Sequence, residues 1–86
     1  MKYRLTSYVV DAFRLGEDGY PFWFMELCSN GKAKISGDFF DPVSAVVHTP
    51  GGKIIAQRGD YIVNRSPGEF CACTPEQFRA IYSEVG

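Results

Sequence analysis

Between residues 8 and 15 the chain alternates. Tyr8, Val10, Ala12 and Arg14 fall on one face of an extended segment, and Val9, Asp11 and Phe13 on the other. β-branched and aromatic residues at its centre suit a pleated surface, so a first strand is predicted over 8–15. Gly16-Glu17-Asp18-Gly19 ends it as a turn. The apolar run from Phe22 to Cys28 fits a buried strand or a helix. Pro21 suits the first helical position and Gly31 the left-handed cap past the end, so a helix over about 21–30 is predicted. Phe22, Met25 and Ser29 would share one of its sides.

Residues 32–35 read as a short strand. Residues 36–44 hold Gly37, Asp38, Asp41 and Pro42, and read as a loop or a bulged edge. Residues 45–49 and 53–57 read as two strands joined by Pro50-Gly51-Gly52, where Pro fixes φ and Gly supplies a positive one. Arg58-Gly59-Asp60 makes the next turn. A strand over 61–65 follows, with Tyr61, Val63 and Arg65 on one face. Ser66-Pro67-Gly68 turns the chain back into a strand over 69–73. The last element has the strongest local signal. Thr74 is a good N-cap, Pro75 fits the first turn, and Gln77 stands three residues on, as in a capping box. Glu76 complements the helix dipole, and Phe78, Ile81, Tyr82 and Val85 recur at helical spacing. A helix over 75–83 is predicted. The expected fold is a single small α+β domain: a twisted, mainly antiparallel sheet of roughly four to six strands with two short helices packed on it.

Composition supports a packed core. The chain has 86 residues, of which 45% are hydrophobic and 15% aromatic, so disorder is excluded and most large apolar side chains must go inward. Nine basic residues against ten acidic ones leave a formal charge of −1, and the basic residues are spread along the chain. Nucleic-acid binders of this size carry a basic stripe, so nucleic acid is not an expected partner. The longest apolar stretch, 21–28, is broken by Glu26 and far too short to span a bilayer. Met1-Lys2-Tyr3-Arg4-Leu5 lacks the apolar core of a signal peptide. A cytoplasmic setting without membrane attachment is therefore expected. Three cysteines, Cys28, Cys71 and Cys73, argue against a disulfide framework.

The order of elements carries a resemblance. The chain opens Tyr3-Arg4-Leu5-Thr6-Ser7-Tyr8-Val9-Val10-Asp11-Ala12. It ends its first helix Ser29-Asn30-Gly31-Lys32, and holds Thr49-Pro50-Gly51-Gly52 and Arg58-Gly59-Asp60-Tyr61-Ile62-Val63. It closes with Gly68-Glu69-Phe70-Cys71-Ala72-Cys73-Thr74-Pro75 before a helix containing Phe78 and Tyr82. This resembles a group of small uncharacterised proteins of tailed bacteriophages and prophages. Those open with a Tyr-Arg-Lys-Lys-Pro-Val-Val-Val-Glu-Ala-like strand and carry Asn-Gly-Lys, Thr-Leu-Glu-Gly and Pro-Gly-Asp-Tyr-Ile-Ile. They close with Gly-Glu-Tyr-Tyr-Pro-Cys-Lys-Pro. Arg58 replaces a Pro, Cys71-Ala72 replaces Tyr-Pro, and the segment 36–44 is longer. The resemblance implies a phage origin, a bacterial host cell and a fold, but no reaction.

Four sites invite chemistry. Cys28, Cys71, Cys73 and His48 suggest a zinc set. Cys71 and Cys73 would share a strand face, about 7 Å apart, but Cys28 and His48 form no second close pair, so buried free thiols and no metal are expected. A cysteine nucleophile needs a base, and His48, the chain's one histidine, has no carboxylate recognisably placed to orient it. Arg58-Gly59-Asp60 spells an adhesion tripeptide but reads as a turn whose Asp60 bonds its own backbone. Gly51-Gly52-Lys53 lacks the spacing and the following helix of a phosphate loop. Asp38-Phe39-Phe40-Asp41-Pro42 differs, because two adjacent Phe flanked by acids do not both bury easily; exposed, they would anchor a partner.

The expected function is therefore non-enzymatic, without cofactor: a phage accessory protein that binds and inhibits a host bacterial protein, such as an antiviral defence component in an anti-CRISPR-like role. Its partner-binding candidates are Phe39, Phe40, Asp41, Lys53, Arg58, Asp60, Tyr61 and Arg65. A small-molecule or nucleotide-sequestering protein is the alternative, with Arg58, Arg65 and Lys53 meeting phosphates and Tyr61 stacking. A structural or virion-associated part is the third. Open strand edges also make a homodimer a candidate assembly.

Overall fold

Strand β2 (Tyr8–Arg14) is apolar on both faces, and this determines the architecture. Val10 and Ala12 face one way, Phe13 and, just past the strand, Leu15 the other, and all four are buried. A strand buried on both sides needs cover on both sides. The computed structural model supplies it; residues 2–5, 8–66, 69–81 and 83–84 are described, with side chains from 10 to 65 and 69 to 81.

The chain runs β1 (Lys2–Leu5), β2, α1 (Phe22–Ser29), β3 (Ala33–Asp38), β4 (Asp41–Thr49), β5 (Gly52–Gln57), β6 (Tyr61–Ser66), β7 (Glu69–Cys73), α2 (Pro75–Ile81) and β8 (Ser83–Glu84). The α+β class and both helices stand where the sequence puts them. The strands, however, divide into two antiparallel sheets rather than one: β7-β6-β2-β1-β8 and β3-β4-β5. On one face of the five-stranded sheet, Phe78 of α2 packs on Val10, Ala12 and Val63, with Tyr61, Cys71 and Cys73 around them. On the other, Phe13, Leu15 and Ile62 meet Phe24 of α1 and the inner face of the second sheet (Ala33, Ala45, Val47, Ala56). The small alanines let the sheet approach, and Phe13 and Phe24 fill the space between.

Local chemistry explains the boundaries. Residues 74–77 form the expected capping box: the Gln77 N–H donates to Thr74 Oγ1 at 3.2 Å, and the Thr74 N–H to Gln77 Oε1 at 3.1 Å. Helix α2 ends at Ile81, before the expected residue 83, where the chain turns into β8. Neither β1 nor β8 was expected; β1 pairs with both β2 and β8. Tyr82, Val85, Pro67 and Gly68 lie outside the described residues.

Of the two readings of 36–44, the bulged edge holds and the loop does not: β3 is the edge strand of its sheet and carries a register shift. β3 continues to Asp38 and β4 starts at Asp41, leaving a two-residue tip at Phe39-Phe40. The ladder absorbs the turn-forming residues by shifting register between Ser36 and Gly37. Gly37 has φ +92°, and a Cβ there would lie 2.9 Å from Val43 Cγ2. Pro42 is tolerated because it stands beyond the last β5 partner, Ser44↔Gln57.

Candidate functional site

The β3–β4 tip is held from three directions. The Phe40 N–H donates to Asp38 Oδ1 at 2.9 Å, closing the turn. Tyr20, between β2 and α1, donates its O–H to the Phe39 carbonyl at 2.6 Å and meets the Phe39 ring at a tilt, centroids 4.7 Å apart. Partial burial, then Cys28 and Asp38, raise the Tyr20 pKa above its usual value, so the phenol keeps its donor proton. Arg58, in the β5–β6 turn, ion-pairs with Asp41 and donates to the Pro42 carbonyl at 3.2 Å. Its own N–H bonds the Val43 carbonyl at 2.9 Å.

These braces present apolar surface to solvent. Phe40 is 89% exposed and Phe39 44%, and Val43 beside them is 62% exposed. The two rings meet edge-on at 5.2 Å. A recess of about 330 Å³ lies between Phe39, Phe40 and Pro42 on one side and Gly16, Asp18 and Tyr20 on the other.

The expected partner-binding residues do not form one patch. Phe39, Phe40, Asp41 and Arg58 come together at the tip. Asp60 turns inward, accepting the Gln57 N–H at 2.9 Å, as a turn aspartate does. Tyr61 lies across the five-stranded sheet, stacked on Phe78 at 3.8 Å with the Arg14 guanidinium over its ring. Arg65 stands further along β6, and Lys53 pairs with His48 at the opposite end of β4. Lys53, Arg58, Arg65 and Tyr61 therefore frame no common phosphate pocket. The adhesion tripeptide is likewise engaged internally: Gly59 bonds Leu15 through its N–H and Arg14 Nε through its carbonyl.

Sequence reasoning missed the braces and one further recess. Tyr20 sits in a turn and left no periodic signal. The second recess, about 530 Å³, is walled by Trp23 and Leu27 of α1 and Phe70 of β7, with Glu26, Lys32 and His48 around it. Trp23, Glu26 and Leu27 share a helix side by their 3–4 spacing. The adjoining side formed by Phe22, Met25 and Ser29 faces solvent.

The cysteines separate. Cys71 and Cys73 pack toward α2, whereas Cys28 belongs to the core on the other side of the sheet. Burial raises all three thiols; Cys73, with Cys71 and Asp60 adding to the effect, is pushed to about 11. Such thiols stay protonated near neutral pH and are poor nucleophiles. Among the described residues no three His, Cys, Asp or Glu side chains gather closely enough to share a metal, and no helix is long and apolar enough to cross a membrane.

Comparison with protein-family models, with curated proteins and with solved structures gives no match for this chain.

Proposed function

We propose that the protein is a non-catalytic phage or prophage accessory protein that binds and inhibits a host protein in the bacterial cytoplasm, docking through the β3–β4 tip. A component of bacterial antiviral defence is one target class consistent with a phage origin. One observation carries the docking reading: Phe40, 89% exposed, sits on a tip braced by Tyr20, Asp38 and Arg58. Exposed apolar surface lowers solubility unless a partner covers it. A braced tip loses little freedom on binding, which favours affinity. Large side chains in a desolvated centre supply most interface energy, and Phe39 and Phe40 fit that part, with Asp41 and Arg58 at the rim.

Native mass spectrometry of the tagged protein recovered from bacterial host lysate tests this. A complex with one host protein at fixed stoichiometry, lost in Phe40→Asp while the melting temperature holds, supports it. A bound mass of a few hundred daltons without a protein partner replaces it with ligand sequestration, and incorporation into particles replaces it with a virion role.

A further inference from the structure

The second sheet has an outer face of uneven composition. Alternation assigns its residues. Ala33 and Ile35 of β3, Ala45 and Val47 of β4, and Ile54 and Ala56 of β5 all belong to the core cluster or pack on it, so the residues between them point away from it. The register sets Lys34, Val46 and Ile55 side by side in one row, and Ser36, Ser44 and Gln57 in the next. On the other side of the first row stand His48 and Lys53. The His48 N–H donates to the Lys32 carbonyl at 2.8 Å, which adds Lys32 to that row.

The first observation is charge. Lys32, Lys34 and Lys53 are three of the chain's four lysines, and the three rows hold no acid and no arginine. Adjacent strands lie about 5 Å apart and alternate residues about 7 Å, so the three side chains rise within about 12 Å of one another. All three are exposed. Among the described residues none of them makes an ion pair, whereas Arg14 holds the Gly59 carbonyl and Arg58 holds Asp41. Of the acids on flanking segments, Asp38 and Asp41 belong to the tip, where Asp38 bonds the Phe40 N–H and Asp41 pairs with Arg58. Glu26 lines the Trp23 recess with Lys32 at one corner. Even with Glu26 counted and His48 neutral, the lysines leave the face positive, in a chain whose formal charge is −1.

The second observation is apolar surface. Ile55 is 56% exposed, and Val46 beside it is half-buried. An antiparallel sheet with one solvated face ordinarily reads apolar inward and polar outward. β5 keeps that pattern at Lys53 and Gln57 and breaks it at Ile55, which belongs to neither core cluster.

An apolar centre ringed by cations has the layout of a protein interface, dry in the middle and polar at the rim. We propose that this face is a second docking surface, separate from the tip, and that its partner is an acidic protein segment carrying an apolar side chain. That side chain lies on Val46 and Ile55, and the carboxylates flanking it meet Lys32, Lys34 and Lys53. Nucleic acid fits less well, because the face offers no arginine fork and no Phe, Tyr or Trp to stack on a base. An anionic bilayer is recognised by clusters of about four to eight cations, more than stand here. A second copy of the face would set lysine against lysine. The proposal does not depend on the tip.

The probe is the peptide acetyl-Glu-Glu-Leu-Leu-Glu-Glu-amide. It is titrated into the ¹⁵N-labelled protein at pH 7 and low salt while the backbone resonances of Lys34, Val46, Lys53 and Ile55 are followed. The expected result is a saturable shift at those residues with a Kd of about 1 mM. Lys34→Gln and Lys53→Gln should each weaken binding about threefold, and the double variant about tenfold. Ile55→Ser should weaken it about threefold or more. These side chains are exposed, so the variants are expected to fold. Phe40→Ala should leave the binding unchanged, which separates this face from the tip. The same peptide with Gln for Glu should bind at least about tenfold more weakly. No saturable shift on this face, an equal response to the glutamine peptide, or a double variant binding like wild type would each overturn the proposal. Tighter binding of an oligothymidylate or of phosphatidylserine vesicles at the same residues would overturn it in favour of a nucleic-acid or membrane surface.

Discussion

Replacing Phe13 by alanine is the sharpest test of how the two sheets are joined. Phe13 is 1% exposed and its ring meets Tyr20, Trp23 and Phe24 at 5.9, 5.7 and 4.8 Å. It stands on β2 but packs on α1 and the second sheet, so its loss opens a cavity where three elements meet. A buried Phe→Ala change costs about 3–5 kcal/mol. A domain of this length has a stability of roughly 4–13 kcal/mol. Phe13→Ala should therefore lower the melting temperature by about 12 °C or more, and could leave a large unfolded fraction. Phe13→Leu, which keeps most of the volume, should cost about 1–2 kcal/mol and keeps the test usable if the alanine variant does not fold. The assay is urea unfolding followed by Trp23 fluorescence and by far-UV circular dichroism. Phe40→Ala is the control: its 89% exposed ring should change stability by less than about 0.5 kcal/mol. A Phe13→Ala cost below about 1 kcal/mol, or a Phe40→Ala cost equal to it, would refute this description of the core.

Thr74→Ala removes the side chain that accepts the Gln77 N–H, and thermal melts should show a loss of about 1 kcal/mol; no loss would mean the capping box contributes nothing. Gly16→Ala puts a Cβ 2.9 Å from Arg58 Cγ at a residue with φ +85°, so it should destabilise by about 1–2 kcal/mol. A neutral or stabilising Gly16→Ala would contradict the packing of Arg58 behind the tip. Cys73, with its pKa near 11, should react with a thiolate-specific disulfide reagent at pH 8 about a hundredfold more slowly in the native protein than in urea. Because its folded pKa is raised, the stability it contributes is fully present below about pH 9 and is lost as pH rises through 11. Peptide mapping that finds native Cys73 labelled at the unfolded rate would refute its burial.

What the sequence reveals follows from how local each signal is. Thr74 and Gln77 stand three residues apart, and the cap they form is a matter of one turn. Pro50-Gly51-Gly52 and Arg58-Gly59-Asp60 fix their turns through backbone preferences carried by those residues. Gly37 and Pro42 left a loop and a bulged edge equally open in the sequence, so the β3–β4 hairpin was only half legible. Only the pairing of Gly37 with Pro42 past the end of β5 allows both in a sheet. The second sheet was legible in principle from β2, whose two faces are both apolar, but the partner covering each face is a long-range fact. The candidate site divides the same way. The adjacent phenylalanines and their flanking acids are visible in sequence, whereas the braces from Tyr20 and Arg58 cross 19 and 17 residues. The Trp23 recess joins α1, β4 and β7, and no spacing within one segment announces it.

Docking through the tip is the central claim, and a binding titration of the recovered host protein against wild type and Phe40→Ala tests it most directly. Wild type should bind at fixed stoichiometry, and Phe40→Ala should lose about 2 kcal/mol, roughly thirtyfold in Kd, with an unchanged melting temperature. A Kd within about twofold of wild type would show that the partner docks elsewhere and would contradict the account.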